Sequence, residues 1–472
     1  MESDAPAVCG KIGFITDCEG NYEYWQASVA LSDVVGWDSD GELAFINDPE
    51  KDGFVFGGDV FDKGTGDLRI AQQLLAFKRR HPERVWLLAG NRDINKLRLT
   101  AELAEEEIDV PQPVPVYPRA PPQVSLRSFL EKKQQEEGVR SLAEVNTRAN
   151  RLRWILDHTM TAGGAFESRR RELALLAGVD EEAVDEEAVV QSFLKSVEEE
   201  GVVWEYLRES CLLVLVGPWL FVHGGIPKDA LRWIPSHDMR YVAPEPGAEP
   251  GGSSLASDRL IDWVEAMNRF LHEGLQSHRA QPLFCHSETR ARGGEALLVL
   301  TSTPACFRRS VVVESLLEGG MPTTLHPEVE EFLASDGVRA VFCGHKPCGD
   351  SPFVVRGEKV SFLHCDTTYS DPRAPDQRGR AVAAVTAVSS GESACVRIRG
   401  CLADGDEYDF CLFGPDGDPF VGRRTPDHGY VKARLGTPDR DGAAPRYRVV
   451  RGDGARRLNY ETCQEEDLRC VV

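Results

Sequence analysis

An α/β core is predicted from three features of the sequence. Short apolar runs that end in an acid or an amide recur at residues 11–17, 53–59 and 84–91. A helical pattern from Asp67 to Arg80 lies between the second and third, with Leu68, Ala71, Leu74, Leu75 and Phe77 on one broad face. The 472-residue chain is 42% hydrophobic, enough for a large core. Strands alternating with helices indicate such a fold. Polar residues at the carboxyl ends of its strands are where sites form in open α/β sheets.

The remaining elements follow in order. Residues 92–107 read as helical, and 111–122 as a Pro-rich linker that cannot be helix. Residues 124–209 are charged and helix-rich, so 95–209 is expected to be a helical insertion on the core. Strands are predicted at 211–216 and 218–223, a mobile Pro/Gly/Ser-rich loop at 243–254 and a helix at 255–275. Further strands are predicted at 296–301, 338–343, 353–356 and 359–366, then a turn-rich stretch at 371–380. Residues 381–399 and 407–413 alternate like antiparallel strands, and the last sixty residues carry weak strand signals. The segment 381–472 is therefore a β-rich extension, expected to complete the second sheet and wrap the surface. Its acidic turns at 404–407 and 416–418 lack the EF-hand spacing and read as surface turns. Residues 1–472 read as one domain enlarged by an insertion and a tail.

Lys and Arg number 54 against 76 Asp and Glu, a net charge of −22. Such a surface disfavours nucleic-acid polymers and anionic membranes as partners. No apolar run approaches the length of a membrane span, and the first residues lack a secretory pattern. The 13 cysteines, without Cys-x-x-Cys pairs, fit buried thiols in a reducing compartment, so a cytoplasmic protein is expected.

Five short segments end strand-like runs: Asp17-Cys18-Glu19-Gly20-Asn21, Gly58-Asp59-Val60-Phe61-Asp62-Lys63-Gly64, Gly90-Asn91-Arg92-Asp93, His223-Gly224-Gly225 and Gly344-His345-Lys346-Pro347. Hard oxygen donors with two imidazoles suit a pair of divalent metals. Two such ions about 3.5–4 Å apart clamp a phosphate and activate a water near neutral pH.

In this order the segments resemble the calcineurin-like metallophosphoesterases, in the branch of the PPP-type serine/threonine phosphatases and the symmetrical dinucleoside tetraphosphate hydrolases. That branch shows D-x-H-G-N, G-D-x-x-D-R-G, G-N-H-[DE], H-G-G and G-H-x-P. The resemblance covers roughly residues 11–93, 211–227 and 338–368. It implies an αββα sandwich of two mixed sheets flanked by helices, here with a helical insertion. It implies that Asp17 binds a first metal, that Asp59 bridges two, and that Asn91, His223 and His345 complete the second. Asp62 would orient residue 92, and Lys63 would contact phosphate as a point charge where the family has Arg.

Two positions depart from the pattern. Glu19 replaces a metal-binding His, which makes the first site nearly all oxygen and favours Mn²⁺ or Mg²⁺, with Fe or Zn as alternatives. Arg92 replaces the His that protonates the leaving group. Arg keeps its proton near neutral pH, so Arg92 would stabilise phosphoryl oxygens instead. The substitutions cancel in charge, as in a retuned site. Alternatively, Glu19 and Arg92 pair with each other and occupy the first metal position, with Asp62 competing for Arg92. Substitute acids would be His158, His286 or His364.

The step from Asn91 to His223 spans 132 positions, so the insertion could cap the cleft. Its Arg140, Arg148, Arg151, Arg153 and Arg169-Arg170-Arg171 form either a basic lid or an ordinary solvated surface rich in Glu. The expectation is a two-metal phosphoesterase acting on a small phosphorylated substrate, a phosphomonoester or nucleotide-like anhydride. The alternatives are an inactive phosphate-binding scaffold, a protein serine/threonine phosphatase, and altered chemistry on a phosphorylated substrate.

Overall fold

The computed structural model describes residues 10–108, 124–242, 244–282, 293–318, 320–367, 379–390, 393–436, 445–452 and 458–468. The Pro-rich 111–122, most of the turn-rich 371–380 and His286 lie outside the described residues.

Two mixed sheets pack face to face with helices outside them, the αββα arrangement expected. In the first, Lys11–Ile15 is central and runs parallel to Gly53–Phe56, which leads on to Val85–Leu88 and Ser210–Cys211, all parallel. The second sheet holds Ala340–Cys343 between two parallel neighbours, Trp219–Val222 and Ser361–His364. It is edged by the antiparallel strands Leu213–Val216 and Phe353–Val355. Side-chain alternation explains the layering. Ile12, Phe14, Val55 and Leu88 face the second sheet, whereas Phe54, Phe56, Val85 and Leu87 face the helices. Between the sheets, the Phe14 and Phe221 rings lie 5.4 Å apart and Phe221 stacks on Phe342 at 4.8 Å. Truncating such a ring to Ala costs about 3–5 kcal/mol.

Helix Asp67–Arg80 covers the first sheet through Ile70, Ala71, Leu74, Leu75 and Phe77. Its first-turn N–H groups need acceptors, and the insertion supplies them. Glu172, in helix Ala165–Ala177, accepts from Leu68 and Arg69 at 3.0 Å. A buried Arg169 bridges Glu172 and Asp67. The insertion is thus docked on the element that follows Asp62 and Lys63.

Two predictions are corrected. Residues 296–301 were expected to be a strand, but Glu295–Val299 is a helix. A five-residue apolar run fits either period, and the Ala-Leu-Leu composition favours helix. The segment 381–472 does not complete the second sheet. Val382–Ser390 pairs antiparallel with Lys11–Ile15, so it extends the first, followed by Ser393–Cys401 and Glu407–Leu412. The strands Tyr430–Leu435, Arg446–Gly452 and Leu458–Gln464 form an antiparallel meander beyond them. The 243–254 region contributes Ser253–Ser254 to a ribbon with Trp233–Ile234. The helix expected at 255–275 runs Leu260–Ala280. Helix Tyr22–Leu31 and the hairpin Val35–Trp37 with Leu43–Phe45 had no counterpart in the sequence reading. Among the described residues no helix is long and apolar enough to cross a membrane.

Candidate metal centre and its cleft

Strands of both sheets end at one cleft. Asp17, Asp59 and Asn91 follow strands of the first sheet, and His223 and His345 follow strands of the second. Four candidate ligands hold left-handed backbone: Asp17 (φ 52°), Glu19 (48°), Asp59 (55°) and His345 (68°). Non-glycine residues rarely adopt that conformation, and it concentrates at functional sites. The loops also meet closely. A Cβ on Gly344 would lie 1.9 Å from Asp17 Oδ2, and one on Gly90 2.1 Å from Asp59 Oδ1.

Asp59, His223 and His345 bring one ligand atom each within 4.8 Å of one another. His223 Nδ1 is 2.8 Å from the Gly57 carbonyl, so it donates there and leaves Nε2 inward. Nε2 then faces Asn91 Oδ1 at 3.2 Å and Asp59 Oδ1 at 3.3 Å. Three electron pairs converge on one point, an arrangement that calls for a cation or a proton. Burial opposes charge on His223, but the charge and hydrogen bond of Asp59 override it and raise the imidazole to about 10. Burial likewise works against the Asp59 carboxylate, yet His223 holds it below the usual range. His345 sits well below its ordinary value, through burial and then the Lys346 charge. It lies 2.9 Å from the Val313 carbonyl through Nε2, which leaves Nδ1 for a ligand. The donor set therefore fits one divalent ion.

The other expected ligands have partners of their own. Asp17 accepts the His345 backbone N–H at 3.0 Å and the Thr16 hydroxyl. Burial, followed by the Asp366 charge, raises its carboxyl well above the usual range. Glu19 Oε2 lies 3.3 Å from Lys63 Nζ. Arg92 does not pair with Glu19. Its Nη1 is 3.5 Å from Asp62 Oδ1, donates to Thr161 Oγ1 at 3.0 Å, and also reaches the Met160 carbonyl. Asp62 is buried behind Arg92, and burial lifts it to about 6. A cavity of about 110 Å³ is lined by Glu19, Asp59, Asn91, Arg92, His345 and Asp366 among others. Lys63 does not line it and faces a larger groove next to it.

Some functional positions escaped the sequence reading. Asp93 accepts backbone N–H groups from Asp59, Val60 and Gly90, each at 2.9 Å, and so ties two ligand loops together. It lies inside a quoted segment, which is the signal that could have found it. Asp366 did not escape it: the run Phe362-Leu363-His364-Cys365-Asp366-Thr367 carries the strand-plus-Asp-Thr ending of the sequence resemblance, and Asp366 borders the cavity just after strand Ser361–His364. Asn21 is a helix cap, accepting from Tyr24 N at 2.8 Å. Of the substitute acids, the two among the described residues, His158 and His364, do not line the cavity. Burial pushes His364 down to about 3 beneath Phe362, and His158 packs edge-on against Phe129. Most insertion arginines have local partners: Arg153 and Arg170 pair with Glu167, and Arg171 with Glu181.

No family model matches the sequence, and no curated protein matches it. Among solved structures, a cold-active protein-tyrosine phosphatase of the psychrophile Shewanella sp. aligns at 14% identity and a TM-score of 0.40, over 85% of this chain and 80% of that one. A protein serine/threonine phosphatase from Saccharomyces cerevisiae aligns at 12% identity and 0.32, over 82% and 74%.

Proposed function

We propose that the chain is a metal-dependent phosphoesterase that hydrolyses a small phosphomonoester or nucleotide-like phosphoanhydride. The observation that carries this reading is His223 Nε2 facing both Asp59 and Asn91, with His345 alongside. Asp59, Asn91, His223 and His345 would hold one ion, and Asp17, Glu19 and Asp59 a second, with Mn²⁺ the preferred metal. Divalent ions there would polarise a phosphoryl group and lower the pKa of an attacking water.

Arg92 borders the cavity and would bind the non-bridging phosphoryl oxygens. Asp62 fixes the guanidinium from behind, and Met160 and Thr161 fix it from the insertion. Because Arg92 gives up no proton at neutral pH, the site suits substrates with good leaving groups. Mn²⁺-dependent turnover of an activated aryl phosphate, abolished in Asp59→Asn, is the expected result. No turnover with any divalent metal would overturn the reading.

The second reading is a non-catalytic phosphate-binding scaffold. It is favoured by the pairing of Glu19 with Lys63, which engages an expected ligand. Elemental analysis of the purified protein separates the two readings. Bound metal supports the enzyme, and metal-free protein that still binds phosphate supports the scaffold.

A further inference from the structure

A second, larger groove adjoins the candidate centre and shares Glu19 as a wall. Its volume is about 1060 Å³, against about 110 Å³ for the inner cavity. The inner cavity therefore has room for little more than a phosphoryl group, and the groove has room for the rest of a small molecule. Four basic side chains line the groove, Lys63, Arg69, Arg171 and Arg380, against two carboxylates, Glu19 and Glu23. In a chain of net charge −22 that is a local reversal of sign.

The four cations come from different parts of the fold. Lys63 and Arg69 flank the start of helix Asp67–Arg80, Arg171 lies in an insertion helix, and Arg380 precedes strand Val382–Ser390. Their present bonds differ in strength. The Arg69 guanidinium carbon lies 3.8 Å from the Tyr22 ring centroid, and the group donates to the Thr65 carbonyl at 2.9 Å and pairs with Glu172 at 3.7 Å, so it is pre-oriented. Arg171 pairs with Glu181 at 3.4 Å with 58% of its side chain exposed, a pair worth little in water. Arg380 has no hydrogen bond or ion pair among the described residues. Arg171 and Arg380 can thus turn to an anion at small cost.

We propose that this groove is an anion site for a second phosphate that is not transferred, so that the preferred substrate is a small molecule carrying two separated phosphate groups. The choice of substrate rests on the phosphoesterase reading, but anion binding in the groove does not.

The test uses full-length protein treated with a chelator, so that no metal contributes to anion binding, and inorganic phosphate as the probe. Arginine labelling by phenylglyoxal is followed at each residue by mass spectrometry. Phosphate is expected to slow labelling of Arg171 and Arg380 while leaving Arg127, 68% exposed elsewhere, unchanged. Phosphate affinity of the Arg171→Ala/Arg380→Ala double variant, measured by calorimetry, is expected to fall about tenfold, the size of a charge-assisted hydrogen bond. Both sites are at the surface, so the variant should fold, and its circular dichroism checks this. Equal protection of all three arginines, or unchanged affinity in the double variant, overturns the proposal. Protection without turnover of any phosphoester keeps the groove and removes the enzyme.

Discussion

Arg92 Nη1 donates to Thr161 Oγ1 at 3.0 Å, across 69 positions of sequence. Through this bond the helical insertion reaches the cleft. The π-type turn Ile155–Thr159 precedes it, and a buried Arg98 anchors that turn by donating to Thr159 Oγ1 at 2.9 Å. The insertion thus sets the direction of the cation bordering the cavity.

Thr161 has φ 55°, a strained conformation for a β-branched residue. Thr161→Gly should relieve about 1 kcal/mol of that strain and raise Tm. It also removes the Arg92 contact, so kcat should fall about three- to tenfold. Thr161→Ser keeps the hydroxyl and should restore turnover. Calorimetry with steady-state kinetics reads both effects. If stability and turnover move together, the hydroxyl does not position Arg92.

Asp93 supports a prediction about stability. Asp93→Ala leaves the N–H groups of Asp59, Val60 and Gly90 buried without acceptors. At about 1–3 kcal/mol for each orphaned donor, urea unfolding should show a loss of at least about 3 kcal/mol. Asp93→Asn keeps one acceptor oxygen and should lose less. A loss below about 1 kcal/mol for Asp93→Ala would show that the loops hold their shape without the clamp.

These two positions also show where the sequence stops being informative. Asp17, Asp59, Asn91, His223 and His345 are legible because each follows a buried strand, and a strand's end is a local signal. The helix Asp67–Arg80 is legible because its apolar period runs for four turns. Glu295–Val299 is too short for its period to separate helix from strand. The role of Asp93 depends on backbone N–H groups more than thirty positions away, which carry no side-chain signature. The contacts of Met160 and Thr161 with Arg92 depend on how the insertion docks, which Glu172 and Arg169 decide in three dimensions. The placement of Val382–Ser390 on the first sheet is a choice between two similar open edges, and alternation alone does not encode it.

The docking contacts predict a pH effect. Burial raises Asp67 from an ordinary 3.8 to about 7, with Arg169 pulling it down and Glu172 pushing it up. The folded chain therefore holds a proton there that the unfolded chain releases. That contribution to stability is fully present below pH 3.8 and is lost as pH rises through 7. Asp67→Asn removes the titration. Its stability relative to the parent should improve between about pH 4.5 and 7.5 by on the order of 2–4 kcal/mol. Urea melts at both pH values measure this, and a constant difference would sink it.

The last prediction concerns the Glu19–Lys63 pair. The Glu19 side chain is 6% exposed and Lys63 Nζ lies 3.3 Å away. While this pair holds, Glu19 is a poor ligand for a second ion, whereas Asp59, His223 and His345 already converge on a first. Calorimetric titration with Mn²⁺ should therefore resolve one tight and one weak event. Lys63→Met leaves Glu19 buried without its counter-charge, so the metal-free variant should lose about 1–3 kcal/mol of stability. The same change frees the carboxylate, so the weak event should tighten about tenfold, and saturating Mn²⁺ should restore Tm. Glu19→Gln, which removes the ligand charge, should abolish the weak event and leave the tight one. If the weak event keeps its affinity in Lys63→Met, Glu19 does not serve the second ion, and the pairing with Lys63 is its structural role.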